Sequence, residues 1–140
     1  MITSILKAVK VFFDADAAAA VYTAVNGRLY CPLAPENPTF PYLVFFPVSS
    51  VPQYMFGLRT IELVRIQFTI VSDKPNDAAQ CATILDNLHT RFDNAVLVYG
   101  DSDYTNVWVE RKESHGPMPF DDRMIATQDY LIMAQKVALG

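Results

Sequence analysis

Residues 62–72, Glu-Leu-Val-Arg-Ile-Gln-Phe-Thr-Ile-Val-Ser, alternate between apolar and polar side chains along most of their length. Successive side chains of a β-strand point to opposite faces of the sheet, so this stretch is predicted to be a half-buried strand. Its two faces are an apolar set, Val64, Ile66, Phe68 and Ile70, and a polar set, Arg65, Gln67 and Thr69. The strand therefore belongs to a sheet with one covered face.

A helix is predicted after this strand, over Asp77 to Phe92, beyond the turn formed by residues 73–76. Asp77 near its start and Arg91 near its end both suit the helix dipole. The apolar residues share one helical face through their three- and four-residue spacing, and they are Cys81, Ile84, Leu85, Leu88 and Phe92. This face is expected to cover the sheet.

The N-terminal part of the chain supplies a second helical region, over residues 4–25. Apolar residues again recur at helical spacing, but Asp14-Ala15-Asp16 offers a second cap. One long helix and two short helices separated by a break are both consistent with this pattern. Asn26-Gly27 ends the region, because both residues accept the left-handed conformation of a helix terminus.

The remaining strands are short runs of β-prone residues. They are predicted at 28–30, 42–46, 95–99, 104–112 and 124–136, with loops at 32–41, 49–61 and 115–122. The first of these loops contains four prolines, and hairpin-length links between later strands favour antiparallel pairing. The predicted fold class is α+β, a mostly antiparallel sheet packed against two main helices in a single-domain sandwich spanning residues 1–140.

The composition argues against two classes of protein, nucleic-acid binders and membrane-spanning proteins. The 140 residues are 51% hydrophobic and 19% charged, with a formal net charge of −4. A nucleic-acid binder presents a basic face to phosphates, whereas the densest basic group here is Arg111-Lys112. No window has the roughly 20 uncharged residues of a membrane span. Cys31 and Cys81 are expected to be reduced, with Cys81 buried on the helix.

The residues that usually carry chemistry form no catalytic or metal-binding pattern. His89 has the position of a surface helix residue, and His115 lies in a Gly/Pro-rich stretch. Asp101 and Asp103 straddle a turn without the further oxygen ligands of a calcium loop. Glycine-rich phosphate loops and nucleophile motifs are absent from the sequence. We therefore expect a non-enzymatic protein without catalytic residues, metal or cofactor.

The unusual feature is an apolar loop at 49–61. Loops run over the protein surface, and aromatic residues and Met are enriched where proteins meet. We predict that this loop is a contact site for other subunits, through Val51, Tyr54, Met55, Phe56 and Leu58. The alternative is that these side chains fold back onto the core.

Two short motifs stand at fixed places in the element order. An alanine-rich helical segment, Ile5 to Val25, is followed by Gly27-Arg28-Leu29-Tyr30, and a Pro-rich link then leads to Phe40-Pro41-Tyr42-Leu43-Val44. An alternating strand, a turn and the helix over 77–92 come next, and paired strands end the chain. In this order and in these motifs the chain resembles the tail-completion, or tail-terminator, proteins of long-tailed bacteriophages.

The resemblance implies a subunit of a ring, typically a hexamer, at the head-proximal end of the tail tube. Such a ring stops tube growth and joins the tail to the head. Its partners would be further copies of itself, the tail tube protein and the head-tail connector protein, with DNA only passing through the lumen and no membrane contact. The location would be the virion tail, after assembly in the host cytoplasm.

Two alternatives remain open at this stage. One is a small ligand-binding domain or enzyme, with a pocket between sheet and helices lined by Tyr42, Phe68, Trp108 and Tyr130. The other is an adaptor outside any phage that oligomerises through a sheet edge. A pocket with a histidine beside an acid would favour the first, and gene neighbourhood would identify the second.

Overall fold

The computed structural model describes residues 2–54, 59–100 and 104–137. In chain order its elements are α1 Ile2–Asp14, α2 Ala20–Val25, β1 Leu29–Tyr30, β2 Tyr42–Tyr54, β3 Arg59–Ser72, α3 Ala78–Phe92, β4 Tyr104–Phe120 and β5 Arg123–Val137. Of the two alternatives for the N-terminal helical region, the structure has two helices separated by a break, since α1 ends at Asp14 and α2 begins at Ala20.

The strands form one sheet in the order β1-β2-β3-β5-β4. The short strand β1 runs parallel to β2, and the other three pairings are antiparallel. The helices cover one face of this sheet, which we call the covered face; the opposite face is the bare face. The predicted α+β class with a mostly antiparallel sheet is confirmed.

The core lies between the covered face and the helices, and aromatic rings fill its centre. Phe68 of β3 is fully buried, with its ring centroid 5.8 Å from that of Phe45, 4.9 Å from that of Phe92 and 6.0 Å from that of Tyr130. Clusters of this kind add to the free energy of area burial through their edge and offset contacts. The alternation read from residues 62–72 therefore places its apolar set in the core.

Local signals at the helix ends agree with the sequence. The Asp77 carboxylate accepts a hydrogen bond from the Ala79 backbone N–H at 3.1 Å, which caps α3. Near the other end of α3, the Arg91 guanidinium donates to the Phe12 carbonyl and stacks 3.9 Å from the Phe12 ring centroid. Asn26 ends α2 at a φ of 50°. Arg91 thus joins α3 to α1.

The predicted loop at 49–61 is wrong. Residues 49–54 continue β2 and residues 59–61 begin β3, so the two strands make one long hairpin. Pro47 and Pro52 suggested a loop because proline cannot donate to a ladder. Over this stretch, however, β2 is an edge strand, where proline is tolerated, and the register shifts between Pro47 and Ser49.

The predicted loop at 115–122 is wrong for the same reason. The edge strand β4 continues to Phe120, and only Asp121 and Asp122, with φ of 46° and 61°, form the turn. Gly116 has a φ of 85°, and a Cβ there would lie 2.7 Å from the Ile125 carbonyl oxygen. Glycine therefore lets the strand pass close to β5 at its irregularity.

The predicted strand at 95–99 is not paired in the sheet. Ala95, Leu97 and Tyr99 are buried, whereas Val96 and Val98 are exposed, so the segment keeps the alternation of a strand. It has no ladder partner among the described residues. The prediction of a short strand paired in the sheet is therefore wrong here, although the segment has the side-chain alternation of a strand.

Candidate functional site

The part of the sheet that extends beyond the helices is the outer part of the hairpin between β2 and β3. We call residues 47–54 and 59–63 the hairpin arm. Every residue from Val48 to Tyr54 is exposed, whereas residues 60–63 on the partner strand are half-buried. On its outer side β2 is paired with β1 only at Leu43 and Val44. The arm therefore presents an open strand edge.

Two of the predicted contact residues lie on the arm and face water. Val51 is 55% exposed and Tyr54 is 80% exposed. In the strand register Val51 lies opposite Leu63, and Tyr54 lies opposite Thr60. Val51 and Tyr54 are three positions apart on the same strand, and successive side chains alternate between faces. Val51 and Tyr54 therefore point to opposite faces of the sheet. Neither side chain folds back onto the core, whereas Met55, Phe56 and Leu58 lie outside the described residues.

The bare face carries a charged pair at its centre. The Arg65 guanidinium contacts the Asp129 carboxylate through Nε and Nη2, each at 2.9 Å from the same carboxylate oxygen. The second oxygen of Asp129 is buried and has no hydrogen-bond partner among the described residues. The pair joins β3 to β5 on the side that no helix covers. A half-buried pair of this kind adds little net stability, because the cost of desolvating the two charges offsets their attraction.

The two histidines have different surroundings, and neither is part of a group of catalytic side chains among the described residues. An arginine side chain can only donate, so Arg111 Nη1 donates to His89 Nδ1 at 2.8 Å, and His89 Nε2 donates to Gln128 Oε1 at 2.6 Å. Gln128 in turn donates to the carbonyls of residues 112 and 113, where β4 is irregular. His115 is exposed, 3.5 Å from the Glu113 carboxylate. His89 thus holds the edge strand to α3.

The pocket considered for a small ligand does not exist between its four named residues. Phe68 and Tyr130 are fully buried in the core, and the Tyr130 hydroxyl donates to the Asp93 carboxylate at 2.7 Å. Trp108, in contrast, is half exposed. Within residues 2–54, 59–100 and 104–137, no three His, Cys, Asp or Glu side chains are grouped as a metal site would require. Asp101 and Asp103, the calcium candidates, lie outside the described residues.

The two thiols differ in exposure. Cys81 is fully buried, and its thiol donates to the Met124 carbonyl at 3.4 Å, so its predicted burial is confirmed. Burial, with a smaller contribution from the Asp77 carboxylate, raises the pKa of the Cys81 thiol to about 11. Cys31 is exposed, and desolvation also raises the pKa of its thiol. No helix in the described part of the chain is long and apolar enough to span a membrane.

The two short sequence motifs, residues 27–30 and 40–44, contact each other through Arg28. Arg28 Nε donates to the Pro41 carbonyl at 3.0 Å, and its Nη2 donates to the Phe40 carbonyl at 3.2 Å. The Arg123 guanidinium stacks 4.5 Å from the Phe40 ring centroid. Arg28 therefore closes the Pro-rich link at the point where β1 and β2 begin to pair. Sequence reasoning identified both motifs but not this contact between them.

A helix-covered sheet with one bare face and an uncovered apolar hairpin is typical of a subunit that acts through contacts with other proteins. A family model described as "Tail completion protein gp17" matches residues 10–115. The chain therefore belongs to this tail-completion family, and its role is structural, in the assembly of a phage-type tail. The sequence-based resemblance to that family is confirmed.

A solved structure shows the same fold. A chain in the structure titled "Virion of native gene transfer agent (GTA) particle" superposes with a TM-score of 0.76 at 14% sequence identity. The superposition covers 97% of this chain and 96% of that chain. A search of curated proteins finds no match.

Proposed function

We propose that the chain forms a ring, hexameric in the form we favour, at the head-proximal end of a tail tube. The ring ends tube growth and joins the tail to the head connector. The observation that carries this proposal is the hairpin arm, which presents Val51 and Tyr54 to water on both faces of an open strand edge. Membership of the tail-completion family supports the location, and so does the virion that contains the similar chain.

The arm has the chemistry of a protein contact. Solvent-exposed valine and tyrosine side chains gain free energy when a partner removes them from water, at about 25 cal/mol per Å² of apolar area. Aromatic residues are also the commonest anchors of binding energy in interfaces. We assign the contacts between subunits to the arm and to the residues that follow Tyr54 in the sequence, with Val51, Tyr54, Met55, Phe56 and Leu58 as the contact residues.

The remaining partners follow from the position in the virion. One face of the ring would meet the tail tube protein and the other the head connector, and DNA would pass through the lumen. The net charge of −4 is consistent with passage, because an acidic surface does not hold phosphates.

The test is the mass of the purified chain by light scattering over a concentration series. We expect a closed species of several times 15.7 kDa, or a monomer that shifts towards it. The double variant Val51→Ser/Tyr54→Ser should keep the circular dichroism spectrum of the folded protein and remain monomeric.

The matched control is Leu33→Ser in the Pro-rich link, where the side chain is as exposed as Tyr54, at 80%. This variant should assemble like the unmodified chain. A double variant that still forms the closed species would remove the arm residues Val51 and Tyr54 from the interface. A wild-type chain that is monomeric at every concentration, also with tail tubes present, would contradict the ring.

A further inference from the structure

An unpaired strand-like segment lies beside the edge strand β4. Residues 95–99, Ala-Val-Leu-Val-Tyr, have the β-branched and aromatic composition of a strand. Ala95, Leu97 and Tyr99 point into the core, whereas Val96 and Val98 are 71% and 80% exposed. The segment therefore has one apolar face in the core and a second apolar face towards water.

The backbone of residues 96–99 is available for pairing, whereas that of Ala95 is not, because its N–H donates to the Phe92 carbonyl at 3.1 Å and its carbonyl accepts from Asn106 Nδ2 at 3.5 Å. The N-terminal end of the segment is held by the Asn94 N–H, which donates to the Val109 carbonyl at 3.3 Å. Asn106 is placed beside it by the Tyr99 hydroxyl, which donates to its side-chain oxygen at 3.2 Å. Among the described residues, no hydrogen bond joins the backbone of residues 96–99 to another backbone group. The segment is thus a strand-like edge held by its side chains.

A groove accompanies the segment. Residues 94–96 and 106–109 border an open groove of about 260 Å³, and Val107 and Trp108 on its β4 side are about half exposed. On the other side, Val98 lies near the exposed Val11 of α1. Apolar side chains therefore flank the available backbone on both sides, as they do where an added strand completes a sheet.

The chain itself carries a matching element. Within the described part of the chain, the outer edge of β2 has no strand partner over residues 47–54, and its side chains there include Val51 and Tyr54. Both stretches are uncharged, so no desolvated charge opposes their pairing. The β4 edge is a poorer acceptor, because three register irregularities interrupt it. Both edges contain two prolines, at 117 and 119 in β4 and at 47 and 52 in the arm, and neither edge can donate at those positions.

The two elements are different surfaces of the chain. The order β1-β2-β3-β5-β4 places the β2 edge at one side of the sheet, whereas residues 95–99 begin beside β4, where Asn94 bonds to Val109, and reach α1 at Val98. A contact between two unlike patches repeats head to tail and closes into a ring when the rotation per subunit permits. The geometry thus matches the kind of assembly proposed above.

We propose that residues 96–99 receive the β2 edge of the hairpin arm, residues 47–54, from a second copy of this chain as an added strand. This inference rests on the proposed ring and identifies which two surfaces meet in it. Hydrogen bonds between the backbones give the affinity, and the exposed valines of the segment pack against the apolar side chains of the arm.

Hydrogen exchange tests the pairing. In the assembled species the amides that point towards the added strand, which are those of alternate residues within 96–99 and within the arm, should exchange roughly tenfold or more slowly than in the dilute monomer. Val98→Asp should leave the fold intact, abolish assembly and remove the protection from both stretches. The matched control, Leu33→Asp, places the same charge on an equally exposed side chain and should assemble normally.

The outcomes separate the two proposals. A closed ring in which residues 96–99 exchange as fast as in the monomer overturns the pairing and leaves the ring standing. Protection of 96–99 that appears only when tail tubes are added would also overturn it, because the occupant would then be the tube protein. A chain that is monomeric under all conditions contradicts both proposals. Protection of both stretches, lost in Val98→Asp, supports the pairing.

Discussion

The strand β2 has two halves that behave differently. Residues 42–46 lie between β1 and β3 and pack against α1, and Leu43 and Phe45 there are almost completely buried. From Val48 to Tyr54 the same strand has β3 on one side and water on the other. The register shift between Pro47 and Ser49 marks the boundary. A bulge of this kind bends a strand and changes its twist.

This difference separates stability from assembly within one strand. Apolar side chains in the inner half lose water when the chain folds, so they stabilise the fold. Apolar side chains in the outer half lose water only when another protein covers them. Substitutions in the two halves should therefore change different measurements, and the largest effects on unfolding should come from the inner half.

The inner half should be most sensitive to Phe45→Ala. The Phe45 ring is 1% exposed and packs against Phe68. Removing a buried phenylalanine side chain costs about 3–5 kcal/mol, because the lost transfer free energy adds to that of the cavity. Urea unfolding of the monomer measures this loss. A loss below about 1 kcal/mol would show that the inner half does not carry the core as the burial indicates.

The other edge of the sheet allows a similar test at Gly116. In Gly116→Ala the new Cβ meets the Ile125 carbonyl oxygen at 2.7 Å at a φ of 85°, so we expect a loss of about 1–3 kcal/mol. The matched control is Gly100→Ala, where a Cβ would meet nothing within 4 Å, and which should change stability by less than about 0.5 kcal/mol. Equal effects at both positions would contradict the close approach of β4 to β5.

The sequence predicted the covered part of this molecule well and its edges poorly. Strand β3 and helix α3 were predicted because each has one buried face, and burial imposes the period that a sequence shows. At Pro52 and at Pro117 the local signal indicates a loop, yet both residues lie in edge strands. Pairing to one neighbour only is a tertiary property, and it removes the constraint that normally keeps proline out of strands.

The candidate site shows the same limit. The apolar character of Val51 and Tyr54 was visible in the sequence, and so was the β-prone composition of residues 95–99. Their exposure was not, because exposure depends on where the helices end over the sheet. The role of Arg28 in closing the Pro-rich link was also hidden, since its acceptors are the backbone carbonyls of Phe40 and Pro41, which every residue has.

The two cysteines allow buried and exposed positions to be compared by their reactivity, because Cys81 is buried and Cys31 is exposed. Native protein should react with iodoacetamide at Cys31 only, and Cys81 should react after unfolding, because its thiol is fully buried. Mass spectrometry of the labelled chain counts the modified thiols. Rapid labelling of both thiols in the folded protein would show that α3 opens from the sheet.

The raised pKa of Cys81 also predicts a pH dependence. The thiol keeps its proton up to about pH 11 when folded, whereas the unfolded thiol loses it near 9.0. Above that lower value the unfolded chain binds fewer protons, so stability falls as pH rises, by roughly 1 kcal/mol at pH 10. Cys81→Ala should be less stable at pH 7 but should lose less between pH 8 and 10. Parallel pH profiles for both proteins would rule out this cause.

The smallest expected effect on unfolding is that of Tyr54→Ala on the arm. The side chain is 80% exposed, so the monomer should lose less than about 0.5 kcal/mol, in contrast to Phe45→Ala. The effect should appear in the concentration dependence. If folded copies assemble, the urea midpoint of the unmodified chain rises with protein concentration, because association stabilises the folded state by mass action. In Tyr54→Ala that rise should be weaker or absent, whereas Phe45→Ala should lower the midpoint at every concentration. A midpoint in Tyr54→Ala that is low even at high dilution would show that Tyr54 contributes to the core. Both halves of β2 would then stabilise the fold, and the outer half would not be reserved for assembly.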